Sequence, residues 1–263
     1  MDELTIFPDG VRQVTCQDCL QASGENLDFQ FSMAFQPIVD VVDKSIFAYE
    51  ALVRGPNNEP AGSILSQIDD DNRYYFDQAA RVTAIRLAAE LGIPKPSRLS
   101  INFMPNAVYK PRACIRATIE AARHYHFDSN RIMFEVTEGE QVVDRNKLRS
   151  IFDEYREQGL IRAIDDYGEG FAGLNHLIEL EPDVVKMDMN LIRDLNHQPA
   201  KRAAVRSTVV LCNEMNIDLI AEGVETIEES RCLSYLGVRL QQGYLFAKPG
   251  FETLPEPNFV IDD

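Results

Sequence analysis

The chain has 263 residues, 45% of them hydrophobic, enough for one large core or two small ones. Its formal net charge of −16, from 42 acidic and 26 basic residues, repels nucleic-acid backbones and argues against a DNA or RNA duplex as partner. No apolar run approaches the roughly 20 residues of a membrane span, the start MDELTIFPDG does not resemble a signal peptide, and five cysteines are few for a disulfide scaffold, so the chain reads as cytoplasmic with reduced thiols.

Residues 1–28 are mixed and polar, with no clear period, and read as an extension of unknown role. Ser32 to Val42 and Ser45 to Val53 are apolar, β-branched runs joined by a short Asp-Lys turn. That link is too short for a crossover helix, so the two strands pair antiparallel. Asp71 to Leu91 has helical spacing, with Phe76, Ala79, Ala80, Val82, Ile85, Leu87 and Ala88 on a broad apolar face; Gly92 and Pro94 end it. Strand and helix patterns then alternate. Strands are expected at Leu99 to Met104, Ile132 to Thr137, Ile161 to Asp165, Val184 to Met187, Leu219 to Glu222 and within Val238 to Phe246. Helices are expected at Cys114 to Tyr125, Arg145 to Gln158, Phe171 to Ile178, Pro199 to Met215 and Ile227 to Leu236. The tail from Gly250, with Pro255 and Pro257, reads as a loop-like end.

This order gives eight strands with helices between most of them. Strands separated by helices imply right-handed parallel crossovers, and eight strands favour a closed α/β barrel over an open sheet. The opening antiparallel pair departs from a regular barrel.

Seven polar residues fall at or near the ends of separate expected strands: Glu50, Asn102, Glu135, Asp165 with Asp166 beside it, Lys186, Glu222 and Gln242. In a parallel barrel such residues converge on one mouth. Most are hard oxygen ligands suited to Mg2+ or Mn2+, and convergent carboxylates near a lysine suggest metal-assisted attack of water on a phosphoester. Each has a plainer reading. A lone Glu50 reads as an edge residue, with Arg54 able to neutralise it or clamp a phosphate. Asn102 reads equally as a turn starter. Lys186 and Asp188, flanking Met187, also read as a buried salt bridge. Asp165-Asp166 is the strongest local signal, because adjacent carboxylates at the end of a core strand call for a cation, and Gly168, Gly170 and Gly173 follow. Glu222-Gly223-Val224-Glu225-Thr226 repeats the pattern of apolar strand, carboxylate and glycine. Among less persuasive features, His124 and His126 end a helix while His176 and His197 are isolated. Cys16 and Cys19 form a Cys-x-x-Cys whose reading stays open between a half zinc site, a redox pair and chance spacing.

In ordered sequence the chain carries Gln36-Pro37-Ile38, Glu50-Ala51-Leu52 with Arg54, Asn102, Glu135-Val136-Thr137-Glu138, Asp165-Asp166-Tyr167-Gly168, Lys186-Met187-Asp188, Glu222-Gly223-Val224-Glu225-Thr226, Gln242-Gly243-Tyr244 and Pro249. With these residues it resembles the EAL domains, bacterial cyclic di-GMP phosphodiesterase modules, over about residues 29–250, leaving 251–263 as a tail. The resemblance implies a modified TIM-type barrel with its first strand antiparallel, and two divalent cations at the mouth. By that resemblance Glu50, Asn102, Glu135 and Asp165 hold the first cation, and Asp165, Asp166 and Glu222 the second. Lys186 positions the attacking water, Arg54 contacts a phosphate, and Gln36, Gln242 and Asp188 belong to the ligand site. Glu138 anchors the loop from Asp166 to Gly173, which couples the site to a homodimer interface. The implied reaction converts cyclic di-GMP to linear pGpG. The rival reading is a catalytically silent cyclic di-GMP receptor that acts through a partner protein. Three positions depart from the family pattern: Tyr167 and Glu169 in the loop after the paired aspartates, and Met104 two residues after Asn102. None of them removes a metal ligand.

Overall fold

The computed structural model describes residues 4–6, 12–14, 27–137, 145–169 and 173–259. A hairpin of β1 (Leu4–Ile6) and β2 (Arg12–Val14) lies within the segment that shows no period in sequence. The barrel begins with β3 (Ser32–Asp40) and β4 (Ser45–Arg54). It continues through β5 (Arg98–Asn102), β6 (Ile132–Thr137), β7 (Ile161–Tyr167), β8 (Val184–Met187), β9 (Asp218–Ala221) and β10 (Leu240–Gln241). From β4 to β10 neighbouring strands are parallel, and β3 runs antiparallel to both β4 and β10, which closes the barrel.

The helices around it are α1 (Ala61–Leu65), α2 (Arg73–Glu90), α3 (Pro111–His124), α4 (Arg145–Glu157), α5 (Gly173–Leu180), α6 (Met189–Ile192), α7 (Pro199–Met215) and α8 (Ile227–Leu236). Two short ones, α1 and α6, have no apolar period long enough to read in sequence. The tail is a second correction. Gly250–Phe251 form β11, which pairs antiparallel with Phe35 and Ala34 of β3, so the tail starts on the sheet, and residues 252–259 beyond it carry no helix or strand. Among the described residues no helix is long and apolar enough to cross a membrane.

Period two along each strand builds the interior. Ile38, Ala48, Met133, Ala163, Val184, Ile220 and Leu240, one from each of seven strands, pack as a single buried apolar layer. Ser100 of β5 is buried and fills the remaining strand's place. Two residues further along each parallel strand, past that layer, stand Glu50, Asn102, Glu135, Asp165, Lys186, Glu222 and Gln242. On β3, which runs the other way, the matching residue is Gln36, two positions before Ile38. An apolar floor therefore lies beneath a polar layer contributed by every strand.

Candidate active site

Lys186 is the centre of the polar layer and is fully buried. Its Nζ lies 2.6 Å from Glu222 Oε1, 2.9 Å from Glu135 Oε2, 3.3 Å from Asp165 Oδ1 and 3.5 Å from Glu50 Oε2. The buried salt bridge open to Lys186 in sequence thus exists, but with these four carboxylates and not with Asp188. Asp188 instead caps α6, accepting a hydrogen bond from the Asn190 backbone N–H at 2.8 Å.

One ammonium does not neutralise four carboxylates in a site that water scarcely reaches. Although burial opposes its charge, Asp165, Glu135, Glu222 and Glu50 hold Lys186 charged well above the usual lysine range. Burial pushes Glu135 up to about 8; Lys186 pulls it down, while Glu50 and Asp165 push it further up. Glu222 is raised for the same first reason, burial. At Glu50 burial is more than offset by Lys186, by Gln242 Nε2 at 2.7 Å and by Asn102 Nδ2 at 3.0 Å, so this carboxyl sits below its ordinary range. One oxygen of Glu135, Oε1, is buried with no hydrogen-bond partner. Leaving such an atom unpaired is costly, so the site is built for a further positive charge.

The donors fit hard divalent cations. Carboxylate oxygens of Glu50, Glu135 and Asp165 lie within 4.8 Å of one another, as do those of Asp165, Asp166 and Glu222. Asp165 belongs to both groups, the arrangement needed for a ligand shared by two ions. The local backbone explains how two adjacent aspartates reach the same mouth. In a regular strand they would point to opposite faces. Here the β7–β8 register shifts between Ile164 and Tyr167, and Asp166 takes a positive φ of 54°. This bulge turns Asp166 back beside Asp165, a use of bulges that recurs next to active sites. Burial first, then Asp165 and Asp188, push Asp166 up to about 6.

Two cavities open beside this centre, and Asp166 lines both. One, of about 260 Å³, is lined by Gln36, Asp188, Glu222, Gln242 and Tyr244 among others. Gly243 in its wall has no room for a side chain, because an added Cβ would lie 2.0 Å from the Val224 carbonyl oxygen. That close approach is what carries Gln242 over the mouth. The other cavity, of about 400 Å³, is more apolar, with Met33, Phe76, Phe103 and Met104 alongside Glu50 and Asn102.

Placement differs from expectation at two residues. Glu50 is not at a strand end; β4 runs four residues past it to Arg54, so the strand overshoots the mouth. Arg54 is half-buried beyond the carboxylate shell, its Nη1 donating to the Val53 carbonyl at 2.8 Å. Glu138, with Gly170 and the Cys16–Cys19 pair, lies outside the described residues. Sequence reading missed Ser100, buried close enough to Glu135 to draw its pKa down slightly, and Tyr244, 57% exposed at the rim of the smaller cavity.

Comparison with known proteins bears on this geometry. A family model described as EAL domain matches residues 20–249. A standalone versatile EAL protein from Vibrio cholerae O395, solved with c-di-GMP bound, is 50% identical with a TM-score of 0.86, covering 90% of this chain and 99% of that one. BlrP1 of Klebsiella pneumoniae, solved with manganese and cyclic di-GMP, is 32% identical with a TM-score of 0.82, covering 90% of this chain and 60% of that one. The cyclic di-GMP phosphodiesterase RocR of Pseudomonas aeruginosa is 32% identical over 176 residues, 66% of this chain and 43% of RocR. The chain spans about half the length of the curated relatives it matches first.

Proposed function

The chain belongs to the EAL domain family, and on that footing we propose that it is a metal-dependent phosphodiesterase hydrolysing cyclic di-GMP to linear pGpG, lowering the level of this bacterial second messenger. The observation that carries the reading is the buried acidic shell around Lys186, with Glu135 Oε1 left unpartnered inside it. The relatives solved with cyclic di-GMP support the substrate, and the manganese complex supports a hard divalent cation.

In this reading Glu50, Asn102, Glu135 and Asp165 hold one Mg2+ or Mn2+, and Asp165, Asp166 and Glu222 the other. Bound there, two such cations supply the charge that acidifies a water and offsets the phosphodiester's own. The remaining work belongs to the chain. Lys186, held charged among the carboxylates, orients the attacking water and keeps Glu222 and Glu135 in place. Gln242 and Asn102 fix Glu50 from either side. The two cavities take the two halves of the ligand, with Gln36, Asp188, Gln242 and Tyr244 on one side. Arg54 reaches a phosphate once its guanidinium leaves the Val53 carbonyl, and Glu138 anchors the loop after Asp166. Leu174 and Ile178, 52% and 59% exposed on α5, support a homodimer face directly after that loop.

The test is purified protein with cyclic di-GMP, with and without Mg2+ or Mn2+, products separated by chromatography. The expected product is pGpG, formed only with metal, and Glu50→Ala reduces it to the level seen with chelator while the fold is kept. Undiminished turnover in Glu50→Ala overturns the assignment. Saturable cyclic di-GMP binding with no metal-dependent product moves the protein to the receptor class.

A further inference from the structure

Between barrel and helices, against the larger cavity, lies a second buried charge pair outside the acidic shell; its Asp77 and the neighbouring Phe103 also line that cavity. Arg81 of α2 is fully buried, and Asp77 one turn earlier is 2% exposed. Arg81 Nη2 sits 2.8 Å from Asp77 Oδ2, and its Nη1 donates to the Tyr155 hydroxyl of α4 at 2.9 Å. The guanidinium also lies over aromatic rings, 4.8 Å from the Phe134 centroid and 5.5 Å from that of Phe103. Those rings and Tyr155 contact one another, with centroids 4.9 to 5.9 Å apart. The other oxygen of Asp77 accepts the Met104 backbone N–H at 2.9 Å.

The sequence positions of these rings matter. Phe103 follows Asn102, and Phe134 precedes Glu135. Phe134 and Glu135 are neighbours on β6 and face opposite sides, so the cage meets the outer face of the strand whose inner face carries Glu135, while Phe103 directly follows the end of β5 at Asn102. Asn102 and Glu135 are also register partners across β5 and β6. A buried ion pair seldom stabilises more than apolar residues of the same volume, so stability alone is a poor reason for a guanidinium here. Fixing geometry is a better one, because a planar cation stacked on rings, hydrogen-bonded through Nη1 and ion-paired through Nη2, has few other poses.

We propose that Arg81 is a positioning residue: by clamping Asp77, Phe103, Phe134 and Tyr155 it sets the outer faces of β5 and β6 so that Asn102 and Glu135 converge on one divalent cation. This rests on the metal-dependent reading above, and the experiment separates the two because it measures metal affinity without turnover. Mn2+ binding is followed by electron paramagnetic resonance and calorimetry in the wild type, in the double variant Asp77→Asn/Arg81→Met and in Arg162→Met. The double variant exchanges the ion pair for a neutral amide that still accepts from Met104 N–H and an apolar chain of similar length. It is expected to fold and melt near the wild type, yet to bind Mn2+ about 10-fold or more weakly, as outer partners of metal ligands do. Arg162→Met removes a buried arginine at the opposite end of the barrel and is expected to lose stability while keeping wild-type Mn2+ affinity. A folded double variant with wild-type Mn2+ affinity overturns the proposal, as does an equal loss in Arg162→Met. Should the double variant not fold, Tyr155→Phe, which deletes only the hydroxyl on Nη1, takes its place; unchanged Mn2+ affinity there overturns the proposal. A wild type that binds no Mn2+ overturns the metal reading and this proposal with it.

Discussion

At the lower end of β7 Arg162 meets Asp183, and near its upper end Asp165 meets Lys186. Both are charged contacts on one strand, and they differ in how completely the charges are matched. Arg162 forms a fork on Asp183, Nε at 2.8 Å and Nη2 at 2.7 Å, and the same carboxylate accepts the Arg162 backbone N–H at 2.9 Å. One cation meets one anion, and Asp183 remains 43% open to water. At the mouth, one ammonium serves four carboxylates, and an oxygen of Glu135 has no partner. The lower pair balances one charge with one, although Arg162 Nη1 has no partner of its own, whereas the cluster at the mouth is short of positive charge. This is the division between stability at the lower face and chemistry at the upper face that parallel barrels show.

The largest way to break that contrast is Lys186→Met. It removes the one cation that, among the described residues, pairs with these carboxylates, and leaves the four of them facing each other. Without metal the variant is expected to lose about 3–5 kcal/mol of stability, as when one partner of a buried pair is deleted. Added Mn2+ recovers much of the melting temperature but not hydrolysis, because charge is restored while the residue assigned to the water is not. Recovery of turnover with Mn2+ alone would remove Lys186 from the reaction.

A smaller effect sharpens the same contrast. With free Mn2+ at about 100 times its Kd, the wild type gains about 2.7 kcal/mol, or roughly 5–10 °C in Tm for a chain of this size. Arg162→Met starts from a lower Tm, by less than the about 3–5 kcal/mol of a fully buried pair because Asp183 is part-solvated. It is expected to show the same Mn2+ increment, while Glu50→Ala loses most of it. An increment that shrinks in Arg162→Met would mean that the floor and the mouth are coupled through β7.

Much of this was legible in the sequence because both barrel layers follow period two. Ala48 then Glu50, Met133 then Glu135, Ala163 then Asp165, Val184 then Lys186 and Ile220 then Glu222 repeat one spacing: apolar, one residue, polar. What was not legible depends on long-range contact. Gly250–Phe251 reads as a loop because its strand partner lies more than 200 residues away in β3. The bulge that swings Asp166 beside Asp165 leaves no mark on composition. The Arg81 cage left one trace, an Asp77–Arg81 pair at helical i,i+4 spacing inside the apolar face of α2, where a charge pair has no solvent to face.

The smallest expected effect concerns Glu169, which departs from the family's loop and adds a carboxylate near the metal-ligand candidates. Asp166, Glu169 and Asp188 have oxygens within 4.8 Å of one another, so in sequence and in distance Glu169 looks able to disturb the centre. Exposure argues the other way. Glu169 faces solvent, where its field is screened, and it ranks behind burial, Asp165, Asp188 and Lys186 among the influences on Asp166. Glu169→Thr is therefore expected to change turnover by no more than about threefold, equivalent to about 0.6 kcal/mol, with the effect fading as salt is raised. A tenfold change that persists at high salt would mean that Glu169 acts by contact rather than by charge at a distance, and that the mouth's unmatched region extends into the loop after Asp166.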